Sequence, residues 1–185
     1  MPTIYNYPYY PEHIKAIGGF EIDNKYVENK LMVPEAVPEK YAKIAAMIQK
    51  RYNLHVVKLT KKMVFDEGYG QKIFDLINAT YSHLYGYSQL TQKQINQYIK
   101  MYLGMLDLEF VTLIEDWSGD ERKLVGAGIS MPSLSIALQK CHRGRMLPFG
   151  WWHLLRAIKF HKTKIVDLLL VGILPEYRAK GANAL

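Results

Sequence analysis

The chain predicts a mixed α/β fold, a largely antiparallel sheet flanked by helices, on three observations. Short apolar runs alternate along it with longer stretches whose apolar residues recur at helical spacing. Two of those runs, Glu109 to Trp117 and Lys123 to Ser130, are joined by Ser118-Gly119-Asp120-Glu121-Arg122, a polar loop with a glycine, as antiparallel hairpins are. The composition, 49% hydrophobic, 12% aromatic and 22% charged over 185 residues, suits a chain that builds a core and not a disordered one.

Taken in order, residues 11 to 17 suit a short helix stopped at Gly18-Gly19. From Lys25 to Val33, Tyr26, Glu28, Lys30 and Met32 alternate with Val27, Asn29, Leu31 and Val33, which predicts a strand with one drier face. Pro34 and Pro38 interrupt it, and the change in composition there sets the expected domain boundary, with residues 1–36 on one side and 37–185 on the other. A helix is expected from about Pro38 to Arg51, where Tyr41, Ile44, Ala45 and Ile48 share a stripe and Pro38 suits the first turn. Leu54 to Thr60 reads as a strand, and Phe65 to about Tyr85 as a helix with Phe74, Ile77, Tyr81 and Leu84 on one side. At Thr91 a capping box is expected: the hydroxyl accepts from the Gln94 N–H, the Gln94 side chain reaches back, and Leu90 staples to Ile95. That helix should run to about Leu106. After the hairpin come a helical stretch near Ser133 to Lys140, a basic loop through His142, Arg143 and Arg145, and helical spacing of Trp152, Leu155 and Phe160 within Phe149 to Phe160. Ile165 to Leu174 is a nearly continuous apolar run of the kind that forms a strand buried on both faces.

Composition also excludes. No run of about 20 uncharged apolar residues occurs, so a membrane-spanning role is excluded and no membrane partner is expected. One cysteine, Cys141, permits neither an intrachain disulfide nor a cysteine-rich zinc site, and the six histidines lack metal-ligand spacing, so no metal is implied. The first residues lack a basic start and an apolar run, and a reducing, cytoplasmic setting fits. The 24 Lys+Arg against 17 Asp+Glu leave +7, which favours anionic partners: nucleic acid, an acidic membrane surface, or a phosphorylated small molecule. A nucleic-acid partner would rest on that charge alone, because no RNA-binding motif accompanies the cluster of Tyr5, Tyr7, Tyr9 and Tyr10, and it is not expected.

The tail holds the most specific signal. The last apolar run ends at Pro175, and Tyr177-Arg178-Ala179-Lys180-Gly181-Ala182-Asn183 follows, small residues interleaved with two cations. Small residues let the backbone bend until successive N–H groups converge, a helix amino terminus adds unsatisfied donors, and Arg178 and Lys180 add whole charges, so the segment suits a diphosphate. The spacing is neither that of the nucleotide-triphosphate loop nor the three-glycine dinucleotide fingerprint.

With Arg178, two residues, then Gly181 directly after a strand, the tail resembles the coenzyme A pyrophosphate loop of the GNAT acyltransferase superfamily; Asn183 stands where that family usually has Gly or Ala. Lys123-Leu124-Val125-Gly126-Ala127 is similar to the charged-apolar-Val-Gly pattern of its third strand, and the element order from Leu54 onward resembles the amino-terminal two thirds of one such domain. The resemblance implies a GNAT-like domain in residues 37–185 with its carboxy-terminal part missing. It implies that residues 1–36 are the closing segment of a preceding one, on Asn6, Tyr9, Tyr10, the turn Ile14 to Ile17, Gly19-Phe20 and the strand through Val33, with Lys15 at the place of the family's common general-acid tyrosine.

What the resemblance implies for function is acyl transfer from a coenzyme A thioester, acetyl-CoA as co-substrate, to an amine. The amides of Ala179, Lys180, Gly181, Ala182 and Asn183 would hold the pyrophosphate, Arg178 and Lys180 would neutralise it, and the edge of the last strand, Val171 and Ile173 included, would pair with the pantetheine. Neither catalytic acid nor base is identified; Glu115, Asp116 or Glu176 could serve as base. Met146 to Trp152 either packs or walls an acyl pocket, and Cys141 beside cations either packs or is an activated nucleophile. The alternative from another class is a non-catalytic, degenerate fold of the same kind used for binding. An unfinished sheet also leaves an open edge, which strand exchange between copies would complete as a homo-oligomer.

Overall fold

In a computed structural model, described here for residues 6–103, 106–141, 145–160 and 163–185, the chain divides into Met1–Pro38 and Glu39–Leu185. Tyr5, His142, Arg143 and His161 lie outside the described residues. In the first unit, helix α1 (Tyr9–Ile17) stops where the Gly18 N–H reaches the Lys15 carbonyl at 3.1 Å and Gly18 and Gly19 adopt φ of 77° and 78°, a region open to glycine. The rings of Tyr7, Tyr9 and Tyr10 stack, with His13 edge-on to Tyr9. The strand expected over Lys25 to Val33 does not form. Its apolar residues stand in water, Val27 at 80% and Val33 at 87% exposure, because alternation makes a strand only where a ladder partner and a core receive it.

The second unit opens with α2 (Glu39–Tyr52), then β1 (Leu54–Lys58). A short helix, α3 (Lys61–Phe65), precedes the one expected from Phe65 to about Tyr85, which starts only after Gly68, whose φ is 74°, as α4 (Tyr69–Tyr81). Helix α5 (Gln92–Tyr98) begins with the expected capping box, Thr91 Oγ accepting from the Gln94 N–H at 3.4 Å and Gln94 Oε1 from the Thr91 N–H at 2.9 Å. It continues as a π-helical turn, Ile99–Leu103. The hairpin is β2 (Val111–Asp116) and β3 (Lys123–Pro132). Helices α6 (Ser135–Gln139) and α7 (Gly150–Ile158) intervene before β4 (Val166–Ile173), and one turn, α8 (Pro175–Arg178), follows it.

These strands form one antiparallel sheet in the order β1-β2-β3-β4, with helices flanking it, the mixed α/β class expected. One face carries the larger core, where Ile73, Phe74 and Ile77 of α4 meet Leu113 and Ile129 beside Ile95 and Leu103. The other face carries a smaller one, where Ile48 of α2 meets Leu54, Ile114, Val125, Ile173, Tyr177 and Ala182. A bulge in β3 turns both Val125 and Gly126 to this second face: Ile114 pairs with Gly126 but Glu115 with Leu124.

Strand β4 departs from expectation. It lies at the edge of the sheet, with β3 on one side only, and Leu168 is 66% and Val171 48% exposed. An apolar run states what a strand is able to bury, not that anything covers it. Its buried end is fixed from α4: a Cβ on Gly172 would stand 2.6 Å from the Thr80 hydroxyl oxygen, which itself donates to the Leu76 carbonyl at 2.7 Å. Gly172→Ala therefore forces strand and helix apart and is expected to cost about 1–3 kcal/mol of stability. In a Thr80→Ala background, where the nearest atom is gone, that cost should fall by half or more; thermal melts of the four proteins in the cycle read the coupling.

Candidate functional site

The tail reaches its position through three anchors. The first is Asp116, at the end of β2 and 8% exposed. Its Oδ1 accepts from the Ser118 N–H at 2.8 Å and the Ser118 hydroxyl at 2.6 Å, an Asx turn that starts the hairpin loop, and its Oδ2 accepts from the Tyr177 hydroxyl at 2.7 Å. The second is the bulge, whose Val125 carbonyl receives the Leu174 N–H at 2.9 Å. The third is Gly181: its φ of 78° turns the chain, and a Cβ there would meet Ile48 of α2 at 3.0 Å. Beyond it Ala182, wholly buried, enters the second core and a 3₁₀ turn, Ala182–Ala184, ends the chain.

Within this frame each cation has its own partner. The Arg178 Nε–H donates to the Ile173 carbonyl at 2.8 Å, closing the turn after β4, and the Lys180 ammonium lies 4.2 Å from the Tyr177 ring centroid and 5.6 Å from that of Tyr52. Of the five amides expected to form the cradle, those of Lys180 and Gly181 donate to the Tyr177 and Arg178 carbonyls at 3.2 and 3.0 Å, and no acceptor among the described residues takes those of Ala179, Ala182 and Asn183, of which Ala182 is wholly buried. Asn183 is exposed. Of the five, the unengaged donors on exposed residues are thus those of Ala179 and Asn183.

The edge of β4 is occupied at one point. The Tyr81 hydroxyl of α4 receives the Val171 N–H and donates to the Val171 carbonyl, both at 3.0 Å, and so takes the place of a neighbouring strand there. Val171 is half exposed, whereas Ile173 is buried in the second core. Sequence reasoning placed Tyr81 on a packing stripe, and spacing along the helix gave no sign of this use.

The three carboxylates considered as bases all have structural partners. Glu115 is 1% exposed; its Oε1 accepts from the Tyr69 hydroxyl and its Oε2 from the Trp117 indole N–H at 2.8 Å. Burial first, then the Glu115 contact, pushes the Tyr69 phenol up to about 12. Burial pushes the Asp116 carboxyl up, but the hydrogen bonds from Ser118 and Tyr177 and the charge of Lys180 outweigh it and hold the group below its ordinary value. The Tyr177 phenol, buried and bonded to that carboxylate, rises to about 12 and stays a neutral donor at physiological pH. Glu176, on the surface, pairs with Lys123 at 3.3 Å; a backbone hydrogen bond first and Lys123 after it lower its pKa.

Beside the end of β4 a cleft of about 540 Å³ is lined by Lys72, Asp75, Leu76, Lys123, Leu124 and Leu174, among others. Residues Met146 to Trp152 do not line it. Cys141 is buried between α6 and α7, its sulfur 3.3 Å from the Ala137 carbonyl and 3.4 Å from that of Gly150, which makes it a packing residue.

Tyr177→Phe leaves a buried carboxylate oxygen without its donor and should cost about 1–3 kcal/mol at neutral pH. Because the folded state lowers the Asp116 pKa, the stability it contributes is fully present above its ordinary value of 3.8 and is lost as pH falls through the folded value. The gap between wild type and Tyr177→Phe should therefore narrow in melts taken below that pH, and a constant gap would mean that Asp116 is not the acceptor that matters.

No family model matches the chain. Over 108 residues, 58% of this chain, it is 23% identical to a bacterial ceramide synthase of Caulobacter vibrioides. The match spans 27% of that relative, so the chain corresponds to about a quarter of its length.

Proposed function

We propose that this chain forms the donor half of an acyl-coenzyme A dependent N-acyltransferase of GNAT-like design. The observation that carries the reading is the conjunction at the tail: an edge strand running straight into a turn with Arg178, Lys180, a left-handed Gly181 and two unengaged amides on the exposed Ala179 and Asn183. A coenzyme A thioester matches it part by part. Its diphosphate meets the Ala179 and Asn183 amides and the two cations, with Lys180, Gly181 and the buried Ala182 shaping the turn around it, and its pantetheine amides lie along Val171 and Ile173. The relative supports the reading by name, since a ceramide is an amide made from an acyl group and an amine.

In such a transfer the amine attacks the thioester carbonyl, the C–N bond forms and the C–S bond breaks, one proton leaves the amine and one reaches the thiolate. The carboxylates held by Tyr69, Trp117, Ser118 and Tyr177 have no free oxygen for the first of these. In this reading Glu115 and Asp116 fix the scaffold, and the chain's own contribution is to hold the donor and align its carbonyl. Acetyl-CoA is the simplest donor, and the acceptor is an amine.

A second reading is favoured by a specific observation. Tyr81 already satisfies the Val171 edge and two of the cradle amides are bonded within the turn, as in a degenerate domain used for binding something else. Calorimetry with acetyl-CoA separates the two. The donor reading expects measurable heat, at least a tenfold loss of affinity in Lys180→Glu and in Arg178→Glu, since each sets a carboxylate against a diphosphate, and an affinity at least as tight in Tyr81→Phe, which clears the edge. Because Arg178 also closes the turn, Lys180→Glu is the variant that decides. No heat with the wild type, or unchanged affinity in Lys180→Glu, would leave the binding-module reading standing.

A further inference from the structure

The excess positive charge of this chain is local. By sequence, residues 133–165, the excursion between β3 and β4, contain seven of the 24 Lys+Arg and none of the 17 Asp+Glu, so this stretch carries the whole +7 and the rest of the chain balances to zero. Charge kept only for solubility would be spread; this is gathered into one excursion. Lys140, Arg145, Arg156, Lys159 and Lys164 belong to it among the described residues.

The same excursion holds an exposed apolar patch. Trp151 and Trp152 meet edge to face at 5.8 Å and Trp152 lies 6.2 Å from Phe160, a contiguous aromatic cluster whose members are 45%, 44% and 56% exposed. Leu147 and Phe149, just before α7, are 76% and 73% exposed. Helix α7 turns the small residues Gly150 and Ala157 inward and keeps its largest side chains out, the reverse of what a helix does to build its own core. Next to the cluster a groove of about 510 Å³ is lined by Ser133, Lys140, His153, Arg156, Thr163 and Lys164 among others, with hydroxyls and cations and no carboxylate.

We propose that this excursion docks the protein on an anionic phospholipid surface, with Trp151, Trp152 and Phe160 seated at the headgroup boundary and the groove between α6 and α7 holding a lipid phosphate. Cations draw the excursion to the negative surface within a Debye length, and indole rings settle where hydrocarbon meets water. The non-aromatic, apolar Met146 and Leu147, both exposed just before α7, decide between lipid and nucleic acid: they gain from hydrocarbon and offer a base nothing to stack on. Docking of this kind needs no membrane-crossing helix, and among the described residues no helix is long and apolar enough to be one. The proposal stands independently of the acyl-transfer reading, and no acyl donor enters its test.

The test is sedimentation of the full chain with vesicles of phosphatidylcholine alone and of phosphatidylcholine containing phosphatidylglycerol. Binding is expected to the anionic vesicles, weakened at least tenfold by high salt, by the double variant Arg156→Glu/Lys164→Glu and by Trp152→Ala, with circular dichroism spectra of both variants matching wild type. Bromine-labelled acyl chains in the anionic vesicles should quench the tryptophan emission, and this reading needs no variant at all. The proposal is overturned by absence of sedimentation with anionic vesicles, by equal binding of the charge-reversed protein, by emission that bromine leaves unquenched, or by an RNA oligonucleotide that strips the protein from the vesicles at a lower concentration than short-chain, water-soluble phosphatidylglycerol does.

Discussion

A carboxylate shut away from water must be given hydrogen bonds, and at the end of β2 Asp116 receives one of them from Tyr177, 61 residues further along the chain. That bond, with the Leu174 amide on the bulge carbonyl and Gly181 against Ile48, fixes the segment after β4 onto the second face of the sheet. Everything said about the tail depends on it: the direction of the turn, the meeting of Lys180 with two tyrosine rings, and the placing of the two unengaged amides on exposed residues. The Asx turn at Ser118 fixes the other oxygen of the carboxylate, so the hairpin loop and the tail are held by the same side chain.

The second carboxylate of the pair illustrates how alternation divides labour. Glu115, one residue earlier, faces the opposite core and is held by Tyr69 and Trp117, while Trp117 itself is sandwiched by the His55 ring at 3.9 Å and the Arg122 guanidinium at 4.2 Å. Adjacent acids on one strand thus tie the sheet to the helices on one face and to the tail on the other. A site for chemistry built here has rigid walls and must take its proton acceptor from some other group than these two.

Features set by neighbours in sequence were legible from the residues. The Thr91 capping box needs only residues three apart, and the hairpin is announced by its polar loop. The α2 stripe through Ile48 is equally local. The later start of α4, after Gly68, is not legible from its stripe, because Phe74, Ile77 and Tyr81 all lie beyond the glycine. Long-range facts were not legible. Whether an apolar strand is covered depends on what lies beside it, so β4 reads as buried although it is an edge, and Lys25 to Val33 reads as a strand although nothing pairs with it. At the candidate site, the small residues and cations of 178–183 could be recognised from spacing. The engagement of two of their amides within the turn, and of Val171 by a tyrosine 90 residues away, could not. Hydroxyl groups of tyrosines carry no periodic signal; Tyr81 looks like a packing residue in the sequence and Tyr177 like the start of the tail segment, and both act as hydrogen-bond partners in the fold.

Two features of the chain point to anionic partners in different places, the tail with its few amides and the excursion with its groove and rings, and the central claim concerns the first. Amide hydrogen exchange of the full chain, with and without acetyl-CoA, addresses it residue by residue. The account predicts new protection at Ala179 and Asn183, whose amides are unengaged on exposed residues, with little change in the already bonded Val171, Lys180 and Gly181. Protection confined to other segments, or none at saturating acetyl-CoA, would contradict it.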